Sequence, residues 1–209
     1  MKQLFLCSYF AGVKDLFRQY ASEKQLGNQV LFIPTAGNVE DYRGYIDEAQ
    51  QTFADLGFQV EILDISACDR ETAQAKIFQS KLLYVSGGNT FYLLQELKKK
   101  QLLSLIKEQI ADGMVYVGES AGAIITAKDI DYNKLMDDKG VAAELHDTGA
   151  LNEVDFYVLP HVGEEPFVES AQATLDTYSD QLNLLPLNNR QAVLVEGEEV
   201  KVLEEEDIH

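Results

Sequence analysis

Met114-Val-Tyr-Val-Gly-Glu-Ser-Ala-Gly-Ala-Ile-Ile125 is the stretch on which the reading of this chain turns. Its first four residues form an apolar run with the character of a buried strand. Gly118-Glu119-Ser120-Ala121-Gly122 follows without a break, and the apolar residues after it open a helix. This is Gly-x-Ser-x-Gly at a strand-to-helix turn, a nucleophile elbow. A serine that attacks a carbonyl has to stand exposed at the end of a sheet. Glycines on either side remove Cβ atoms where strand and helix crowd together. The helix start behind Ser120 offers unpaired N–H groups to developing negative charge. A plain strand–turn–helix connection with a polar cap would use the same residue types, but the flanks favour the elbow.

Outward from this turn, strand-like and helix-like segments alternate. Apolar strands are read at 4–8, 29–33, 58–64, 81–86 and 114–117, and helices at 13–23, 39–56, 71–79, 91–99 and 102–111. The alternation predicts an α/β fold: an open, doubly wound, mostly parallel sheet with helices on both faces. A ligand site on such a sheet lies beyond the carboxyl ends of its strands. There the loops Pro34-Thr35-Ala36-Gly37, Gly87-Gly88-Asn89-Thr90 and Gly118-Glu119-Ser120 should converge. Beyond residue 127 the pattern weakens. Residues 129–149 are polar and irregular, readable as a lid or as a surface loop. A strand follows at 154–159, a helix at 166–181, and an antiparallel pair around Gly197 near the C-terminus.

The 209 residues suit a single catalytic domain, 1–209. A net charge of −18 argues against nucleic acid or an anionic membrane as partner. The acidic crowd from Glu196 to Asp207 reads as a solvated edge and tail. Cys7 and Cys68 make no disulfide framework, and the chain shows no secretory signal and no membrane-length apolar run. These features predict a cytoplasmic protein with reduced thiols. His146, His161 and His209 form no ligand pair, so no metal is expected. Without a phosphate loop or dinucleotide fingerprint, no cofactor is expected either. Oligomeric state is left open.

A serine hydroxyl needs a base, normally histidine. His209 is terminal and His146 lies in the weakly patterned stretch. His161 directly follows the apolar run 156–160, which puts it at a strand end on the elbow's own sheet. It is the favoured base. An oxyanion hole needs two converging N–H groups. Ala121 supplies one by position, and Gly88 is the candidate for the second. Asn89 is a candidate for hydrogen bonding to substrate, and Thr90 for capping the helix that follows.

Gly-Gly-Asn-Thr-Phe at 87–91, Gly-Glu-Ser-Ala-Gly-Ala at 118–123 and Leu-Pro-His at 159–161 resemble the peptidase E (alpha-aspartyl dipeptidase) family of serine peptidases. The resemblance spans nearly the whole chain. It implies a fold similar to class I glutamine amidotransferases, with Ser120 as nucleophile, His161 as base and the Gly88 and Ala121 N–H groups as oxyanion hole. It implies hydrolysis of a small peptide, in the best-known members a dipeptide with N-terminal aspartate. The residue orienting the base falls either at Asp129 or Asp131, or near the last strands at Asn188.

One departure concerns specificity. The family's aspartyl dipeptidases carry Trp before the nucleophile, and this chain carries Glu119, a candidate substrate contact. None of the four arginines lies in the motifs. Positive charge is available from Lys128, Lys134 or Arg190. Glu119 and the acidic surface would oppose an anionic substrate, so a preference for aspartate does not follow. The elbow and histidine also fit an esterase or amidase on the same fold, or a non-catalytic relative that binds a small molecule.

Overall fold

Val115–Glu119 (β5) is buried along its whole length in the computed structural model, which describes residues 1–205. His209 and the last acidic residues lie outside that range. β5 runs between and parallel to Gln3–Cys7 (β1) and Leu82–Val85 (β4). Next to β4 lies Gln29–Ile33 (β2), and beyond it Gln59–Ile62 (β3), both parallel. On the other side, β1 pairs antiparallel with Gln191–Glu196 (β8), which forms a hairpin with Glu199–Glu204 (β9). The seven-stranded sheet therefore has the order β3-β2-β4-β5-β1-β8-β9. β5 runs two residues further than the apolar pattern suggests, because Gly118 and Glu119 stay in register with Leu6 and Cys7.

Alternate residues of each strand face opposite cores, as the period of two requires. Phe5, Cys7, Phe32, Tyr84 and Val117 pack against Phe17 and Tyr20 of Lys14–Glu23 (α1) and Ile46, Ala49 and Phe53 of Gly44–Asp55 (α2). Leu4, Leu6, Ile33, Val85 and Tyr116 face the helices Arg70–Gln79 (α3), Thr90–Lys99 (α4) and Leu103–Ala111 (α5). The mostly parallel sheet with helices on both faces is the architecture the alternation predicts.

Four local readings are corrected. The helix expected at 39–56 begins only at Gly44. Thr35–Val39 forms a 3-10 turn instead, held by Thr35 and Asn38 side chains that donate to Asp64. The strand before His161 is short, Tyr157–Leu159 (β6), and pairs with Leu184–Pro186 (β7) in a separate two-stranded sheet. His161 therefore does not stand on the elbow's sheet. The helix read at 166–181 is Val168–Tyr178 (α7). Residues 129–149 form a packed cap with 3-10 turns at Asp131–Leu135 and Lys139–Val141. The cap docks on the start of α4, where Asp137 accepts from the Thr90 N–H at 2.7 Å.

Candidate active site

Ser120 directly follows β5, with φ 46° and ψ −105°, a backbone region that L residues avoid. Three bonds hold it there. Its N–H donates to the Cys7 carbonyl at 2.9 Å, and its own carbonyl accepts from Ala123 and Ile124, both at 2.9 Å. The short helix Ala121–Ile124 (α6) starts at once and presses on β4. A Cβ on Gly122 would stand 2.1 Å from the Val85 carbonyl oxygen, so only glycine lets helix and strand approach this closely.

The histidine reaches this serine from the smaller sheet. Ser8, just past β1, accepts from the His161 N–H and donates to the Leu187 carbonyl, each at 3.1 Å. One buried hydroxyl thus ties the end of β1 to the segments after β6 and β7. His161 has φ 60°, and its Nε2 lies 3.0 Å from Ser120 Oγ. Its Nδ1 lies 2.7 Å from Asn189 Oδ1. The Phe167 ring stacks on the imidazole, with centroids 4.5 Å apart and planes at 20°. With Nδ1–H donating to the amide oxygen, Nε2 keeps its lone pair for the serine hydroxyl. Burial holds the imidazole below the ordinary histidine pKa, partly offset by the Asn189 hydrogen bond and the Glu164 charge.

The partner of His161 is none of the three candidates read from the sequence. Asn188, one position away, turns its oxygen back to the Arg190 N–H at 2.8 Å, and its own N–H donates to Gln191. This Asx-type turn leaves Asn189 to point at the histidine. Asp129 accepts from the Asp131 N–H and the Thr148 hydroxyl, and Asp131 pairs with Lys134 and Lys139. Both aspartates organise the 129–149 cap. Positive charge expected from Lys134 and Arg190 is likewise engaged elsewhere, Arg190 with the Glu205 carbonyl.

Gly88 has φ 127°, and a Cβ there would meet the Ala36 carbonyl carbon at 2.3 Å. Only glycine fits, and the Asn89 N–H fastens the turn to the Ala36 carbonyl at 2.9 Å. The turn lies against the serine: a Cβ on Gly87 would stand 3.4 Å from Ser120 Cβ. Neither the Gly88 nor the Ala121 N–H has an acceptor among the described residues.

Two expected substrate contacts are engaged elsewhere. Asn89 caps α4: its oxygen accepts from the Tyr92 N–H at 3.0 Å, and its amide donates to the Asp138 carbonyl at 2.9 Å. The cap is therefore Asn89 and not Thr90. Glu119 is 2% exposed and points into the interior, away from the serine. Its Oε1 accepts from the Phe10 N–H at 2.7 Å, and its Oε2 from Tyr84 Oη at 2.5 Å and the Gly87 N–H at 3.4 Å. The period of two in β5 accounts for this, since Glu119 shares the face of Val115 and Val117, which packs against α1 and α2. Sequence reading missed Asn189, Ser8 and Phe167. Only Asn189 carried a signal, as the second of two adjacent asparagines just before β8.

Among the described residues no group of three or more His, Cys, Asp or Glu is placed to hold a metal ion. Among the same described residues no helix is long and apolar enough to cross a membrane.

A serine on a strained strand end, bonded to an imidazole that an amide orients, is the equipment of a serine-type hydrolase. The chain matches the model of peptidase family S51 over residues 6–203 and belongs to that family of serine-type peptidases. It is 48% identical to an uncharacterized peptidase of Pasteurella multocida over 198 residues, covering 95% of each chain. It is 42% identical to an uncharacterized peptidase of Listeria monocytogenes over 200 residues, covering 96% of this chain and 97% of that one. Peptidase E of Nostoc is 28% identical over 166 residues, covering 77% of this chain and 65% of that protein. A crystal structure of a Listeria monocytogenes protein assigned by name to peptidase E superposes with a TM-score of 0.93 at 40% identity, covering 99% of this chain and all of the other.

Proposed function

We propose that this chain hydrolyses short peptides through an acyl-enzyme on Ser120. The observation that carries the reading is the line from Ser120 Oγ to His161 Nε2, 3.0 Å, and from His161 Nδ1 to Asn189 Oδ1, 2.7 Å. Ser120 Oγ attacks the scissile carbonyl while Nε2 takes its proton. The Gly88 and Ala121 N–H groups receive the oxyanion. The imidazolium then protonates the departing amine, and a water activated by the same nitrogen releases the acid. The turn at 118–122 acts as a nucleophile elbow in this scheme. Asn189 orients the ring without adding a negative charge, so the imidazolium is stabilised less than beside a carboxylate. The free Cys7 and Cys68 suit a reducing, cytoplasmic setting.

Small peptides suit the site because its neighbourhood is crowded. Tyr45 packs beside Gly87, Phe167 covers His161, and the 129–149 cap closes over the start of α4. With Glu119 turned inward, its side chain sets no requirement on the substrate. A panel of dipeptides and tripeptides varied at the N-terminal residue tests the reading. Turnover of peptides by the wild type and not by Ser120→Ala supports it. Turnover of simple esters alone would replace it with an esterase.

A further inference from the structure

We propose that Glu119 is a positioning residue for acyl transfer: its carboxylate holds the Gly87–Gly88 turn so that the Gly88 N–H meets the oxyanion formed at Ser120. The proposal rests on the peptidase reading above and assigns a role to a residue that the nucleophile chemistry leaves unused. Three observations carry it. Glu119 is 2% exposed, an ionisable group kept in the interior against a large desolvation penalty. Its three hydrogen-bond donors come from three separate segments: Phe10 beyond β1, Tyr84 on β4, and Gly87 in the glycine turn. It also sits between Gly118 and Ser120 in the chain, so the strand end that presents the nucleophile supports the turn that presents the oxyanion donor. A shift of that turn by a fraction of an ångström would misplace the donor, and oxyanion holes are sensitive to donor position.

The Gly87 carbonyl accepts from the Ser86 hydroxyl at 3.0 Å, but its N–H has a single acceptor among the described residues. Its neighbours are fastened, Ser86 by its N–H to the Ile33 carbonyl and Asn89 to the Ala36 carbonyl, at 3.0 and 2.9 Å. Gly87 between them has the Glu119 carboxylate as its acceptor. The groups facing Glu119 are the Cys7 thiol from β1, the Tyr9 phenol beyond it, the Tyr84 phenol from β4, and Tyr45 and Glu48 from α2. None is cationic. Burial pushes the carboxyl up to about 7, and the hydrogen bonds from Phe10, Tyr84 and Gly87 oppose that rise. When the carboxylate takes a proton its acceptor strength falls and the hold on Gly87 weakens. Turnover should then decline as pH falls through that range.

Glu119→Gln isolates the contact. The amide keeps an oxygen for the Phe10 N–H and sets an N–H₂ against Tyr84 Oη, which can accept, and against Gly87 N–H, which cannot. The expected result is a fall in kcat of about 10- to 100-fold with KM within about twofold, because the lost contact acts on the transition state. Affinity for a peptide aldehyde, whose hemiacetal needs the oxyanion donors, should fall in parallel, while affinity for the uncleaved peptide should hold. The acid limb near pH 7 should disappear from the kcat profile. Tyr84→Phe is the second variant. It deletes one bond that keeps the carboxyl ionised, so the limb should move to higher pH with kcat on its plateau unchanged. A Glu119→Gln protein with unchanged kcat and aldehyde affinity overturns the proposal, as does a Tyr84→Phe limb that does not move. Should the wild type turn over no peptide, the peptidase reading fails first and the proposal falls with it.

Discussion

His161 Nδ1 lies 2.7 Å from the side-chain oxygen of Asn189, so the base of this site is oriented by an amide and not by a carboxylate. The exchange has a clear electrostatic sign. An amide fixes the ring and its tautomer, but it favours the imidazolium less than a carboxylate would. Burial keeps His161 below the ordinary histidine pKa and the Asn189 bond offsets it only in part, so it stays available as a base in mildly acidic solution.

Asn189→Asp therefore raises the pKa of His161 and moves its acid limb in kcat/KM to higher pH. Asn189→Ala frees the ring and lowers kcat by about 10²-fold, the low end of what a placed general base contributes. Asn188→Ala leaves both quantities near wild type, because that side chain serves only the turn at Arg190. Steady-state kinetics of the three variants from pH 5 to 9 check this. Equal losses at 188 and 189 would contradict the geometry.

Ser120 carries the reaction and also bears strain, at φ 46°. Ser120→Ala should lower kcat by about three orders of magnitude or more, as knock-outs of catalytic serines do. Ser120→Gly should be equally inactive yet more stable than Ser120→Ala by about 1 kcal/mol, since the two differ by a Cβ held in the left-handed half of backbone space. Urea midpoints of the two inactive proteins measure the difference without interference from activity.

Gly122 supports the same turn from the opposite side. Gly122→Ala drives a Cβ to 2.1 Å from the Val85 carbonyl oxygen, backbone against helix with no flexible side chain to yield. Overpacking of this kind should destabilise the protein by about 3 kcal/mol. Gly27→Ala, where nothing lies within 4 Å, is the matched control and should stay close to wild type. Thermal melts of the pair decide the point.

Most of the scaffold was legible from hydrophobic patterning, because a parallel sheet buried on both faces writes its strands as continuous apolar runs. The elbow and the glycine turn were legible for a related reason. Gly122 and Gly88 stand where a Cβ would collide with backbone, which leaves a mark in the sequence itself. Side-chain direction was not legible. Asn188 and Asn189 are identical in composition and differ only in which one closes its own turn. Glu119 looked like a substrate contact beside the nucleophile, but the pleat of β5 turns it into the interior. The position of His161 just beyond a second small sheet, tied to β1 through Ser8, follows from tertiary packing that no local pattern records.

The same inward turn of Glu119 carries a consequence for stability. Its carboxyl rises from 4.5 to about 7 in the folded protein. A group whose folded pKa is raised favours the folded state below its unfolded pKa, and that contribution is lost as pH rises through the folded value. Between pH 4.5 and pH 7 and above, ionising Glu119 should thus remove about 3 kcal/mol, at 1.36 kcal/mol per pKa unit. Asp137, raised to about 6 in its own buried site, acts with the same sign, whereas Asp64 and Asp131, both lowered, act with the opposite one. The net profile of the wild type mixes these terms, but the difference between wild type and Glu119→Gln contains only the first. Urea unfolding of both proteins at pH 4.5, 6 and 8 should show Glu119→Gln gaining on the wild type steadily across that window. Parallel curves would mean that the carboxyl ionises as readily inside the fold as outside it.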